Sequence, residues 1–174
     1  LWCAASLIEA LRALHEQHVL LRGVAAAWLD ADGYVQLVDL HHSKRLDGEE
    51  RTYTLLGSPG CFSPEMLKGC GHTLSADCWA LGAVLHELAT GRRPFGRPGG
   101  DGMAMLKAVR DFDPAVLHLP AHVEPRTAAL IKGLLQPDPA QRLGAAGAGA
   151  VRQHEAVSGI NWEAMAKGGV ESPL

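Results

Sequence analysis

Asp77-Cys78-Trp79-Ala80-Leu81-Gly82-Ala83-Val84-Leu85-His86-Glu87-Leu88-Ala89-Thr90 is the stretch on which the fold turns. Its residues Trp79, Leu81, Val84, Leu85 and Leu88 give a helix a wide apolar surface, which predicts burial on nearly all sides. An acid opens it, where the helix dipole favours negative charge, and Gly91 stops it. Such a helix needs partners around it. Upstream, residues 4–15 repeat Leu7, Ile8, Leu11 and Leu14 at three- and four-residue spacing, the mark of a helix with one buried face. Downstream, 103–110 and 127–135 read as helices, the second ended by Pro137-Asp138-Pro139.

Between the first helix and the central one the periodicity changes. Val19-Leu20-Leu21 is a short apolar run, and Asp32-Gly33 divides residues 28–38 as the turn of a β-hairpin, since glycine accepts the positive φ of a tight turn. Residues 39–64 keep no period and read as one long loop, which inside a domain is usually functional. Residues 144–150 hold only Gly and Ala and are expected to form a flexible surface loop. The tail from Asn161, with Trp162 as its one large residue, is expected to wrap the surface.

The chain's 174 residues suit one domain. With 47% hydrophobic and 20% charged residues and a formal net charge of -3, the composition speaks against a disordered chain and against a nucleic-acid partner. No apolar run is long enough to span a membrane, and no secretory signal is visible. The start at Leu1 predicts a segment of a longer protein, and the compartment expected is intracellular, the cytoplasm. Cys3, Cys61, Cys70 and Cys78 include no Cys-x-x-Cys pair and are expected as reduced structural thiols. His41 and His42 are adjacent, and adjacent side chains diverge on a strand or helix, so the histidines are expected on the surface or in loops rather than around a metal.

Three motifs occur in order: Ser63-Pro64-Glu65, Asp77-Cys78-Trp79-Ala80-Leu81-Gly82, and Asp138-Pro139-Ala140-Gln141-Arg142-Leu143-Gly144. The first resembles the Ala-Pro-Glu that closes the activation segment of eukaryotic Ser/Thr protein kinases. The second is similar to the Asp-x-Trp-x-x-Gly that opens the central helix of the kinase lower lobe, and the third to the Asp-Pro-x-x-Arg-x-Gly near that lobe's end. Arg142-Leu143-Gly144 together with Asn161-Trp162 further resembles the AGC group, which includes the cyclic-nucleotide-dependent kinases. The resemblance covers nearly the whole chain. It implies a mainly α (α+β) protein-kinase-like fold: a helical C-lobe with a small β-hairpin over 1–155, an AGC-type C-terminal extension over 156–174, and no N-lobe. It also implies a buried ion pair between Glu65 and Arg142, and an Asp77 that accepts backbone N–H groups of the catalytic loop. Without the resemblance both acids read as ordinary surface charges.

Phosphoryl transfer needs a base that orients the attacking hydroxyl and oxygen ligands for magnesium, which the kinase loop supplies as His-Arg-Asp-x-x-x-x-Asn. The corresponding run here is Leu21-Arg22-Gly23-Val24-Ala25-Ala26-Ala27-Trp28. Gly23 stands at the catalytic Asp, and aligning from the hairpin instead requires a short deletion. Either way no Asp, Asn or Lys remains, so no catalytic residue is intact. Asp39 takes the place of the magnesium-binding Asp of Asp-Phe-Gly, with His41 where a glycine gives the segment its swing. Read alone, Asp39 is a turn or cap residue. Arg51-Thr52-Tyr53-Thr54-Leu55-Leu56-Gly57-Ser58-Pro59 is similar to an AGC activation segment. In it Thr54 is the candidate phosphorylation site, Arg22 and Lys44, with Arg45 beside it, are candidate readers of the phosphate, and Leu56, Gly57, Ser58 and Pro59 form the substrate-contact loop. The plain alternative is an exposed threonine in a mobile loop.

The cofactors implied by the family are ATP and magnesium. The upper lobe of a kinase supplies a Gly-rich loop and a strand lysine, and neither Gly-x-Gly-x-x-Gly nor Val-Ala-x-Lys precedes Ala4, so these residues alone are expected to bind ATP weakly or not at all. Expected partners are a protein substrate or scaffold partner, the kinase N-lobe, and a cyclic-nucleotide-binding regulatory domain. Two functions stay open. One is a partial Ser/Thr kinase domain, impaired in this chain, whose family reaction is ATP-dependent phosphorylation of protein Ser/Thr. The other is a pseudokinase that binds or scaffolds. A gene-model error across 24–27 would restore the first.

Overall fold

Leu7, Ile8 and Leu11, spaced for one helical face, are driven against the flank of the central helix, and the rest of the chain assembles around that contact. The computed structural model describes residues 2–31, 33–48, 50–96, 99–167 and 169. The first helix, α1, spans Trp2–Glu16, and the short strand β1 follows at Val19–Leu20. Strands β2 (Ala27–Leu29) and β3 (Val35–Leu37) form the antiparallel hairpin, with Trp28 opposite Gln36. Asp32 of its turn lies outside the described residues, while Gly33 has φ 77°. Strand β4 (Lys44–Arg45) pairs antiparallel with β1. The helices α2 (Pro64–Leu67), α3 (Ser75–Thr90), α4 (Gly102–Arg110), α5 (Pro125–Leu134) and α6 (Trp162–Ala166) complete the series. The fold is mainly helical, as the lower lobe of a kinase is.

Helix α3 is the axis. Trp79 and Leu81 are fully buried, and they meet Leu130, Ile131 and Leu134 of α5 on one side and α1 on the other. Burying each large apolar side chain contributes roughly 1.5–3 kcal/mol. Trp79 stacks on Phe95 at 5.5 Å between centroids and meets the edge of Phe112 at 5.7 Å, geometries that add to the area term. Leu88 departs from the expected apolar surface: it is 59% exposed. Among the described residues no helix is long and apolar enough to cross a membrane.

Four local expectations are corrected by the structure. Residues 39–64 are not one unpaired loop: β4 docks on β1 over Leu20, Leu46 and Ala76, and Thr52 and His72 exchange backbone hydrogen bonds at 3.0 and 2.9 Å. Residues 144–150 are only in part at the surface: Ala145, Ala146, Gly149 and Ala150 are exposed, but the others pack inward. Gly144, Gly147 and Ala148 are buried, and a Cβ on Gly144 would lie 2.5 Å from the Cys78 Sγ, so the run is small because the central helix passes this close. The histidines are not all at the surface, since His15, His72 and His86 are buried. His41 and His42 do not diverge: they sit in a turn rather than a regular element, and their rings lie 3.8 Å apart. All four cysteines are free thiols, and burial pushes Cys61 up to about 11 and Cys78 to about 12.

The tail forms α6 rather than a simple wrap. Met165 is buried, and the Arg152 guanidinium stands 4.9 Å over the Trp162 ring. Residues 168 and 170–174 of the expected C-terminal extension lie outside the described residues.

Candidate functional site

The site is organised by one carboxylate. Asp77 lies in the first turn of α3 with its side chain 1% exposed, where the helix dipole favours its charge. The Leu21 N–H donates to its Oδ2 at 2.7 Å and the Arg22 N–H to its Oδ1 at 2.9 Å. His15 Nε2 is 2.9 Å from the same Oδ2. Because the Ala148 N–H donates to His15 Nδ1 at 2.9 Å, Nδ1 is the acceptor and Nε2 carries the proton given to Asp77. Three donors thus converge on Asp77, and buried Ala148 supports the third. Arg22 is held at φ 60°, a conformation of about 1–3 kcal/mol strain for a residue with a side chain, which this clamp maintains. Asp77 and Arg22 are legible in the sequence; His15 carries no motif, although it continues the buried Leu7, Ile8, Leu11 face of α1 at four-residue spacing.

The Arg22 side chain donates from Nε to the His42 carbonyl at 2.6 Å. Burial pulls the pKa of its guanidinium below the ordinary value, while Asp77 opposes that shift. The Arg22 carbonyl packs against Gly57, whose φ is +111° and where a Cβ would come within 2.2 Å of that oxygen. Only glycine permits this approach. The segment Leu56–Gly57–Ser58–Pro59 is thereby fixed to the loop that begins at Arg22.

Past Arg22 the chain makes a tight turn. The Ala26 N–H donates to the Gly23 carbonyl at 2.9 Å, and Val24 is buried in the main core. Gly23 faces Asp39, for a Cβ there would lie 3.4 Å from the Asp39 carbonyl oxygen. Asp39 Oδ1 accepts the His41 N–H at 3.2 Å and contacts His41 Nδ1. The His41 backbone N–H is the main cause that holds its carboxyl below the usual range.

In the segment beyond, Thr52 is buried and Thr54 is exposed. Lys44 Nζ donates to Glu50 Oε1 at 2.8 Å, and that bond holds the Glu50 carboxyl below its ordinary range. Among the described residues no hydrogen bond joins the Thr54 hydroxyl to Arg22 or Lys44, so this arrangement does not bring the three together. No sequence motif marks His72. It is 2% exposed, its Nε2 has no partner among the described residues, and burial, then the charge of Arg22, push its pKa down.

Beneath the site lies the buried ion pair. Arg142 Nη1 and Nη2 donate to Glu65 Oε1 and Oε2 at 2.7 and 2.8 Å, a bidentate geometry. Further bonds run from Nη1 to the Ser75 carbonyl and from Nε to the Gln136 carbonyl, both at 2.9 Å. Burial disfavours the charged Glu65, but the bonds and charge of Arg142 outweigh it and hold the carboxyl below its usual range. The guanidinium lies 5.3 Å from the centre of the Trp79 ring.

The family model described as "Protein kinase domain" matches residues 2–155. The chain belongs to the protein kinase family. This kinase chain is similar to "Protein kinase 2" of Dictyostelium discoideum, 32% identical over 170 residues that cover 97% of the chain and 34% of that protein. It is 33% identical to "Serine/threonine-protein kinase AtPK1/AtPK6" of Arabidopsis thaliana over 165 residues, 92% of the chain and 34% of that protein. Against "cGMP-dependent protein kinase 2" of Rattus norvegicus the identity is 33% over 181 residues, 99% of the chain and 23% of that protein. The chain thus spans about a third or less of the length of these curated relatives.

Kinases of this family use ATP with magnesium ions held by carboxylate and amide oxygens. The residues of this kinase chain do not fit that group. Asp39 is the one carboxylate at the strand end and is engaged by His41, while 23–28 brings no side-chain oxygen to the place opposite it. Among the described residues no three His, Cys, Asp or Glu gather as a metal site.

Proposed function

We propose that this chain is the lower lobe of an AGC-type Ser/Thr kinase that has given up phosphoryl transfer and serves as a binding or scaffolding module for a protein partner. The observation that carries this reading is the tight turn Gly23–Ala26, closed by the 2.9 Å bond from the Ala26 N–H to the Gly23 carbonyl and anchored by buried Val24. Where a base should orient a hydroxyl there is a backbone hydrogen and a valine pointing into the core. Magnesium-ATP is not used by this chain on the same grounds. Residues 1–155 act as the lobe and 156–174 as its extension, and the protein works in the cytoplasm.

Regulation outlasts the chemistry in this reading. Thr54 accepts a phosphate, Arg22 and Lys44 read it once Lys44 lets go of Glu50, and Leu56 to Pro59 contact the partner. The likeness to a cGMP-dependent kinase supports an upper lobe and a cyclic-nucleotide-binding domain as neighbours of these residues. A second reading, an active kinase whose sequence across 24–27 differs from the one given, is favoured by the intact clamp of Asp77 on Leu21 and Arg22. The deciding experiment clones the transcript across residues 20–30 and assays phosphate transfer from ATP to a basic peptide with the upper lobe present. No transfer above background is expected. Turnover that Asp39→Ala abolishes would overturn the proposal.

A further inference from the structure

The backbone bridge between Thr52 and His72, with bonds of 3.0 and 2.9 Å, holds down the segment that carries Thr54. Arg51 Nη1 adds a bond to the Gly71 carbonyl at 3.3 Å, and the Tyr53 ring lies over Gly71, where a Cβ would come within 2.8 Å of it. Among the described residues, every hydrogen bond between 51–56 and another part of the chain involves Gly71 or His72. Between Glu50 and Gly57 the segment is tied at one point.

That point carries a titratable ring. His72 is 2% exposed, and its Nε2 is buried with no hydrogen-bond partner among the described residues. A neutral imidazole tolerates this, because one of its nitrogens carries no proton. An imidazolium has N–H on both, and the one at Nε2 would be a charged donor buried without an acceptor. The carboxylates that favour a proton on the ring are already engaged. Glu65 borders the same cavity of about 180 Å³, but its two oxygens take the Arg142 guanidinium. Asp77 accepts from Leu21, Arg22 and His15. Against the proton stand the charges of Arg22 and of Lys44, the latter bonded to Glu50, while Arg51 borders the cavity as a further cation. Burial, then Arg22, accordingly pull the His72 pKa below the ordinary 6.5.

We propose that His72 is a proton-operated latch: in acid its ring takes a proton from solvent by leaving its buried site, the bridge to Thr52 parts, and residues 51–56 come free while the core of the lobe stays folded. Linkage sets the direction. The closed latch holds the neutral ring, so its hold is complete above pH 6.5 and weakens as pH falls toward the folded value. The latch acts on the segment whether or not the protein transfers phosphate, so it stands apart from the non-catalytic reading.

The test is hydrogen exchange of the full chain between pH 7.5 and 5.0, with each rate corrected for its intrinsic pH dependence. Protection of the Thr52 and His72 amides should fall about fivefold or more over that range. Low urea should leave this exchange nearly unchanged, because the opening exposes little surface, whereas the amide of buried Leu81 should respond steeply. His72→Phe should abolish the pH dependence at Thr52. Should that variant fail to fold, Thr52→Pro decides, since it deletes one donor of the bridge: the His72 ring, followed by NMR, should titrate below 6.5 in the unaltered chain and closer to 6.5 in the variant. Bridge protection that ignores pH, that keeps its pH dependence in His72→Phe, or that follows urea as Leu81 does overturns the proposal. So does a ring that titrates at the same pH with and without the bridge donor.

Discussion

The Gly23–Ala26 turn and the Glu65–Arg142 pair occupy two parts of one family pattern, and they have fared differently. The pair keeps its bidentate geometry, its three backbone acceptors at Ser75, Gln136 and Pro137, and its Trp79 platform. The turn keeps only a backbone bond and a buried methyl-bearing side chain. What separates them is the consequence of loss. A stranded charge inside the core unfolds the lobe, whereas a catalytic carboxylate in a cleft contributes nothing to the fold and can go without structural penalty.

Breaking the pair should give the largest effect. Arg142→Met keeps the stem against Trp79 but leaves Glu65 buried without its partner, and should cost about 3–5 kcal/mol in urea unfolding. A loss under about 1 kcal/mol would mean that the frame is not what holds the lobe. Next comes the clamp. Asp77→Asn removes a charge shared by three donors and should cost about 2–3 kcal/mol, with the Leu21 and Arg22 amides exchanging faster in hydrogen exchange.

A shallower effect follows from His72. Its folded pKa lies below the ordinary 6.5, so the unfolded chain takes up the proton first; the stability this group contributes is complete above pH 6.5 and is lost as pH falls toward the folded value. Unfolding measured from pH 7.5 down to 5 should show that decline, and His72→Phe should flatten it. The smallest effect is predicted for the turn itself. Gly23→Asp, whose Cβ would meet the Asp39 carbonyl at 3.4 Å and the Leu21 carbonyl at 3.9 Å, should shift stability by less than about 1 kcal/mol. Magnesium-ATP should leave the Tm of the chain and of this variant unchanged. A Tm rise in the variant would show that the cleft retains more of its chemistry than the turn suggests.

Much of the frame could be read from residues alone, because the signals are local. The periodic apolar face of α1, the apolar span of α3 and the Pro-Asp-Pro stop after α5 each act within a few turns of chain. The three motifs bear Glu65, Asp77 and Arg142 in an order that few other folds repeat. Less could be read where partners are remote. His15 and Asp77 lie 62 positions apart, and His15 and Ala148 lie 133 apart, so no window of sequence holds the relay. The same holds for the two-residue strands β1 and β4, whose pairing depends on the burial of Leu20 and Leu46, and for the Gly/Ala run, whose composition resembles a linker.

By itself the sequence determined the family, the helices and the absence of Asp, Asn and Lys from residues 23–28, since these depend on residue identity and short-range spacing. Tertiary structure alone decided that Gly144, Gly147 and Ala148 are buried supports, that Arg22 is held at positive φ by Asp77, and that Arg93 turns onto Glu87. The reason is the same in each case. Close approach and charge compensation are properties of side chains that meet only after the chain has packed, and their energy depends on a distance that no local pattern encodes.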